Sequence, residues 1–205
     1  MSPPLSVGVL FTSKSVTCAM IKAMLDSLEC EARTEFFLVV GIDENADTPS
    51  IPEEWQTKVF FCSLTHKTRT AEGIFKACAA WDELGVMAFQ HGADVIVFLG
   101  PDVDILSPSW YASLCDEFTC LQRETNAPYT LGCVCLRDEG GPGWPSFPVI
   151  GRAHWETFGY IVPSCFINQD FDPFIYRLYA DVGLARTTKT FCVHNTGGGV
   201  AGGLY

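Results

Sequence analysis

Apolar residues arrive in short continuous runs, separated by stretches in which they recur at helical spacing. Residues 5–12 (Leu-Ser-Val-Gly-Val-Leu-Phe-Thr) predict a buried strand, and Phe36–Ile42 a second that ends in the polar turn Asp43-Glu-Asn-Ala-Asp47. Between them, Ser13 and Ser15 offer N-caps to a helix of about 15–30, with Ala19, Met20, Ala23, Met24 and Leu28 as its apolar positions. Lys58–Cys62 reads as a short third strand after a Pro-containing loop. Thr70–His91 holds the longest helical pattern and stops at Gly92, a residue suited to the left-handed position past a helix end. Asp94–Leu99 is the most strand-like segment, and it breaks at Gly100-Pro101-Asp102.

Continuous apolar strands alternating with helices suit a mainly parallel sheet covered on both faces, so the expected class is α/β. Beyond residue 105 the pattern changes. A helix near 109–123 leads to a strand at 130–136, a Gly/Pro loop at 138–146 and an extended Phe147–Ile150. Asp172-Pro173 predicts a helix start, with Asp as N-cap and Pro at the first helical position, running to about Gly183. Thr187–Val193 is the last strand. There are no internal repeats, and the glycine-rich tail Gly197–Gly203 reads as a junction to further domains of a longer chain.

Composition narrows the class. With 205 residues, 48% hydrophobic and 18% charged, the chain suits one domain with a sizeable core and not chain-wide disorder. Thirteen Lys and Arg against 24 Asp and Glu leave a net charge of -11, which argues against a nucleic-acid partner. A phosphate-bearing ligand would therefore need its charge neutralised by something else, and a divalent cation is the obvious agent. No apolar run approaches the roughly 18 residues of a membrane span, and the start lacks the pattern of a secretory leader. The ten cysteines form no C-x-x-C pair, and Cys62, Cys133, Cys135 and Cys192 lie inside apolar runs. They read as buried free thiols in a reducing, cytoplasmic compartment.

Several polar residues fall where such a sheet binds ligands, at the carboxyl ends of its strands. Asp102 and Asp104 alternate on an extended stretch and point the same way, as a shared cation would require. The plain alternative is a solvated turn. Asp43 ends the second strand at the same edge, suited to a base or ribose or simply to a turn. Phe11, Thr12 and Ser13 end the first strand close to a helix start, where backbone N–H groups meet a phosphate. No phosphate-binding Gly-rich loop is present, and no G-x-S-x-G elbow. His66 and His91 read as surface residues, His154 as a helix cap or pocket wall, and His194 as a candidate ligand at the end of the last strand.

Four stretches together resemble the GT-A glycosyltransferases. They are Val7–Ser13; Trp81–Asp94 with Phe98–Asp104 and Ser107–Trp110; Phe147–Pro163; and Phe166–Tyr179. The last two are similar to a subgroup that includes glycosyltransferase domains of large algal DNA viruses. The resemblance implies a single GT-A-like domain, with a nucleotide-sugar-binding half at about 1–106 and an acceptor-side half at about 107–205. It implies a hexosyl- or deoxyhexosyltransferase using a UDP-sugar donor, Mn²⁺ or Mg²⁺, and a glycan or glycoprotein acceptor. Asp102, Asp104 and His194 would hold the metal, Phe11, Thr12, Ser13, Asp43 and Asp82 would line the nucleotide site, and Asp172 would be the base of an inverting transfer. Two departures stand out: Asp82 replaces the usual Asn after Trp81, and Pro101 replaces a usual carboxylate before Asp102. A catalytically silent nucleotide-sugar-binding module is the alternative. A sugar-1-phosphate nucleotidyltransferase ranks third, because Lys14 stands alone where that class has a basic, Gly-rich loop.

Overall fold

The computed structural model describes residues 5–12, 16–28, 35–65, 68, 76–100, 102–141, 143–168 and 170–195. Eight strands form one sheet: β1 (Ser6–Thr12), β2 (Glu35–Asp43), β3 (Val59–Leu64), β4 (Val95–Leu99), β5 (Val103–Ile105), β6 (Cys133–Asp138), β7 (Pro148–Gly151) and β8 (Ala185–Asn195). Their order is β3-β2-β1-β4-β7-β6-β8-β5. The first four are parallel, β7 runs against both β4 and β6, and β5 runs against β8 at the far edge.

Among the described residues five α-helices cover the sheet: α1 (Cys18–Leu28), α2 (Ala77–Gln90), α3 (Trp110–Thr125), α4 (Arg152–Phe158) and α5 (Phe171–Ala180). Strand side chains alternate between faces, and the core divides accordingly. Val7, Val9, Phe11, Val97 and Leu99 pack with α1 and α3, whereas Leu10, Val39, Ile96 and Phe98 pack with α2 and α5. β1, β2 and β4 are buried on both faces, which is why they read as nearly unbroken apolar runs, whereas the edge strand β3 is only partly buried. Among the described residues no helix is long and apolar enough to cross a membrane.

Several expected boundaries move. The first helix begins at Cys18, where Thr17 Oγ1 accepts the Met20 N–H at 3.3 Å; Ser13 and Ser15 lie outside the described residues. Its buried stripe is Ile21, Met24, Leu25 and Leu28, so Ala19 and Ala23 face solvent. The larger side chains claim the core-facing stripe, since they gain more from burial than alanine. The long helix starts at Ala77 and not at Thr70, because Lys76 is still extended; residues 70–75 lie outside the described residues. Its first amides are held from a distance: Ala77 N–H donates to Asn168 Oδ1 at 2.8 Å, and Cys78 N–H to the Ile167 carbonyl. At its other end Gly92 takes the positive φ expected of it. There the Arg152 guanidinium donates to the Phe89 and Ala93 carbonyls, tying α4 to the close of α2.

Candidate functional site

Parallel pairing sets the strand ends in line. Thr12 stands opposite Gly41 and Phe11 opposite Leu99, so Thr12, Asp43, Gly100 and Asp102 share the carboxyl edge of β1, β2 and β4. By strand alternation Thr12, Gly41 and Asp43 lie on the α2 side. Thr12 is 4% exposed, and its hydroxyl has no hydrogen-bond partner among the described residues. Beside it Gly41 permits a close approach that a side chain would crowd: a Cβ there would sit 3.1 Å from Thr12 Oγ1 and 3.1 Å from a Leu64 methyl. A buried hydroxyl without a partner costs ~1–3 kcal/mol, and a ligand reaching it would remove that cost.

The other residues expected at this edge fare differently. Phe11 is 1% exposed on the opposite face, in the core beneath α1 and α3, and six residues separate it from the start of α1. It therefore does not lie at a helix N-terminus. Ser13 lies outside the described residues. Asp82 sits on α2, where its Oδ1 accepts the N–H groups of Ile161 (2.6 Å) and Val162 (3.2 Å), so it braces the turn after α4. The neighbouring Glu83 accepts from both the N–H and the hydroxyl of Thr65 just past β3.

Asp102 is partly buried and Asp104 exposed on either side of Val103, and the β5–β8 register sets His194 opposite Asp104. Among the described residues no three acidic, histidine or cysteine side chains stand close enough to form a metal cluster. The donor types nevertheless suit a hard divalent cation: two carboxylates from one extended segment and an imidazole-bearing residue at the facing position.

Asp172 departs from the expected geometry. The cap of α5 is Asp170, in the left-handed region at φ 66°, which places Asp172 in the first turn and Pro173 one residue further in. Phe171 sets this phase. It is buried against Trp81 and Phe98, with ring centroids 4.9 and 5.2 Å away, and so pins the start of α5 onto β4 near its carboxyl end. The Asp172 carboxylate accepts the backbone N–H of Phe147, itself at φ 50°. Desolvation pushes the Asp172 carboxyl up to about 7, and the Phe147 hydrogen bond acts in the opposite direction. As a whole residue Asp172 is intermediate in burial.

His154 is neither a cap nor a pocket wall. It is 1% exposed, with Nδ1 2.8 Å from the Tyr179 hydroxyl and Nε2 3.2 Å from the Ile161 carbonyl. The carbonyl requires the proton on Nε2, so Nδ1 accepts from Tyr179. Burial drives the imidazole down to about 4, a neutral core group that joins α4 to α5. The nine described cysteines are free thiols; Cys133, Cys135 and Cys192 are buried and Cys62 partly so.

One further feature gave no signal in the sequence. Between the pairs Cys135–Thr187 and Arg137–Phe191, two residues of β6 run against four of β8. This bulge opens a cavity of about 350 Å³ between β6, β8, α5 and the loop before Phe147.

No protein-family model matches the chain, and no curated protein does. Solved structures match over nearly all of it. A mannosyltransferase from Pyrobaculum calidifontis, solved with GDP-Man and Mn²⁺, aligns with TM-score 0.57 at 14% identity, covering 98% of this chain and 59% of that one. TarS from S. aureus aligns with TM-score 0.56 at 13% identity, covering 94% of this chain and 37% of that one. The chain thus spans less than two thirds of either neighbour. At such identities the likeness is one of fold: a mixed α/β, GT-A-like, Rossmann-type sheet flanked by helices.

Proposed function

We propose that the chain is a metal-dependent hexosyl- or deoxyhexosyltransferase domain, moving a sugar from a UDP-sugar to a hydroxyl of a glycan or glycoprotein with inversion. The observation that supports it most is the orphaned Thr12 hydroxyl beside the side-chain-free Gly41, at the ligand-binding edge of a GT-A-like sheet. Thr12 and Asp43 would take the nucleoside, with Ser13 added by the sequence resemblance. Asp102, Asp104 and His194 would hold Mn²⁺ or Mg²⁺, which when bound neutralises the donor diphosphate on an acidic protein. Asp82 contributes by holding the 161–162 turn. Residues 1–106 would form the donor half and 107–205 the acceptor half, in the cytoplasm. The narrower likeness to the viral domains rests on the motifs at 147–163 and 166–179.

Asp172 would accept the proton of the attacking hydroxyl. A carboxylate with its pKa near neutrality is matched to that task, and the Phe147 N–H fixes its orientation. Calorimetric titration with UDP, with Mn²⁺ and then with EDTA, tests the donor site. Binding that needs the metal and is lost in Asp102→Ala is the expected result. A folded protein that binds no UDP under any condition overturns the reading. UDP binding with no turnover of any UDP-sugar would leave the silent binding module.

A further inference from the structure

The bulge cavity has a chemistry the proposed function does not account for. Arg137, Lys189, Thr187, Trp144 and Tyr176 line it, in a protein whose net charge is -11. The Arg137 guanidinium lies 4.3 Å over the Phe191 ring and donates from Nη1 to the Lys189 carbonyl at 3.0 Å. That spends one of its five N–H donors, and none of the ion pairs among the described residues involves it. Lys189 reaches Glu117 only at 3.7 Å, with its side chain 81% exposed, a contact weak enough to exchange. By contrast Arg186 is tied to Glu117 and Glu124, and Arg177 to Asp181.

The aromatic wall supplies the second half. Trp144 is 59% exposed, and Tyr176 stands one turn along α5 from Asp172. Exposed aromatic rings beside polar groups suit the apolar faces of sugar rings. Two elements link the cavity wall to the proposed base: α5 carries both Tyr176 and Asp172, and the loop bearing Trp144 runs into Phe147, whose backbone hydrogen-bonds to Asp172.

We infer that this cavity binds an acceptor saccharide carrying an oxyanion, with Arg137 and Lys189 on the carboxylate or phosphate and Trp144 and Tyr176 on the ring. The assignment rests on reading the chain as a glycosyltransferase and names the acceptor class. A planar guanidinium held by a ring and a carbonyl is set to receive an oxyanion through two parallel hydrogen bonds.

The test needs no donor. Saccharide binding is measured by NMR titration with three probes: methyl glucoside, methyl glucuronide and glucose 6-phosphate. The anionic probes are expected to bind roughly tenfold tighter than the neutral one, and Arg137→Ala to abolish that preference. The glucuronide and the phosphate separate the two sources of the anion. Lys189→Glu, on a largely exposed side chain, is expected to reverse the preference without threatening the fold. Equal binding of all three probes, or a preference unchanged in both variants, overturns the inference. Failure of the donor reading is a different result: loss of UDP binding with the anion preference intact.

Discussion

Replacing Asp172 with Asn asks one residue two questions. The carboxyl titrates near 3.8 when the chain is unfolded and at about 7 when folded, so the folded state holds the proton more tightly between those values. Stability therefore falls as pH rises from about 4 through 7, and above 7 the fold carries the full cost of a buried charge. At 1.36 kcal/mol per pH unit that cost is at most about 4 kcal/mol, less whatever solvent contact relieves. Asn keeps the shape and an oxygen for the Phe147 N–H but carries no charge. Asp172→Asn should thus melt higher than the parent at pH 8, by up to roughly 8–16 °C for a chain of this size, with the difference vanishing near pH 4. Melting curves by circular dichroism from pH 4 to 8.5 measure it. A difference that does not vary with pH would show that Asp172 is not the group titrating near neutrality. In turnover assays the same substitution should cost about 10²–10⁴-fold, while the parent's kcat/KM rises through pH 7 to a plateau. Undiminished turnover would remove Asp172 from catalysis whatever its pKa.

Other substitutions separate ligand contact from architecture. Thr12→Val should stabilise the ligand-free protein by ~1–3 kcal/mol in chemical denaturation while weakening UDP about tenfold; unchanged UDP affinity would place the nucleotide elsewhere. His154 titrates at about 4 folded against 6.5 unfolded, so stability is lost as pH falls from about 6.5 to 4, by at most about 3 kcal/mol. His154→Gln should flatten that acid slope, and an unchanged slope would assign it to other groups. Asp82→Ala strands the Ile161 and Val162 N–H groups and should cost ~3 kcal/mol, with UDP affinity unchanged in the folded fraction. A loss of UDP binding without a loss of stability would make Asp82 a ligand contact after all.

The centre of the parallel half was legible because burial on both faces leaves Phe36–Ile42 and Val95–Leu99 without a polar position, and such unbroken runs read as strands. Short elements were not. β5 has three residues, one of them the exposed Asp104, which is too few for any periodicity. α4 begins directly after a strand, with Gly151 serving as both strand end and helix cap, so no polar loop announces it. The first turn of α5 misled for a different reason. Asp followed by Pro is a sound start signal, but burying Phe171 against Trp81 and Phe98 shifts the cap two residues earlier, onto an Asp in left-handed geometry.

The candidate site shows a sharper division. Residues named by position along a strand, Thr12, Asp43 and Asp102, come together because strand register converts sequence offset into shared position at one edge. The acceptor side has no such ruler. It depends on a left-handed Phe147, a two-residue bulge in β8 and an arginine parked on a phenylalanine, none of which leaves a periodic trace. These features are also the ones whose strain or exposed charge the fold alone does not require. Phe147 holds a conformation that disfavours a bulky side chain, and its N–H reaches Asp172 from there. On the proposed reading, the donor site would be built from strand register and the acceptor site from local exceptions to it. On a shared GT-A-like sheet, the second set is where acceptor preference is free to differ.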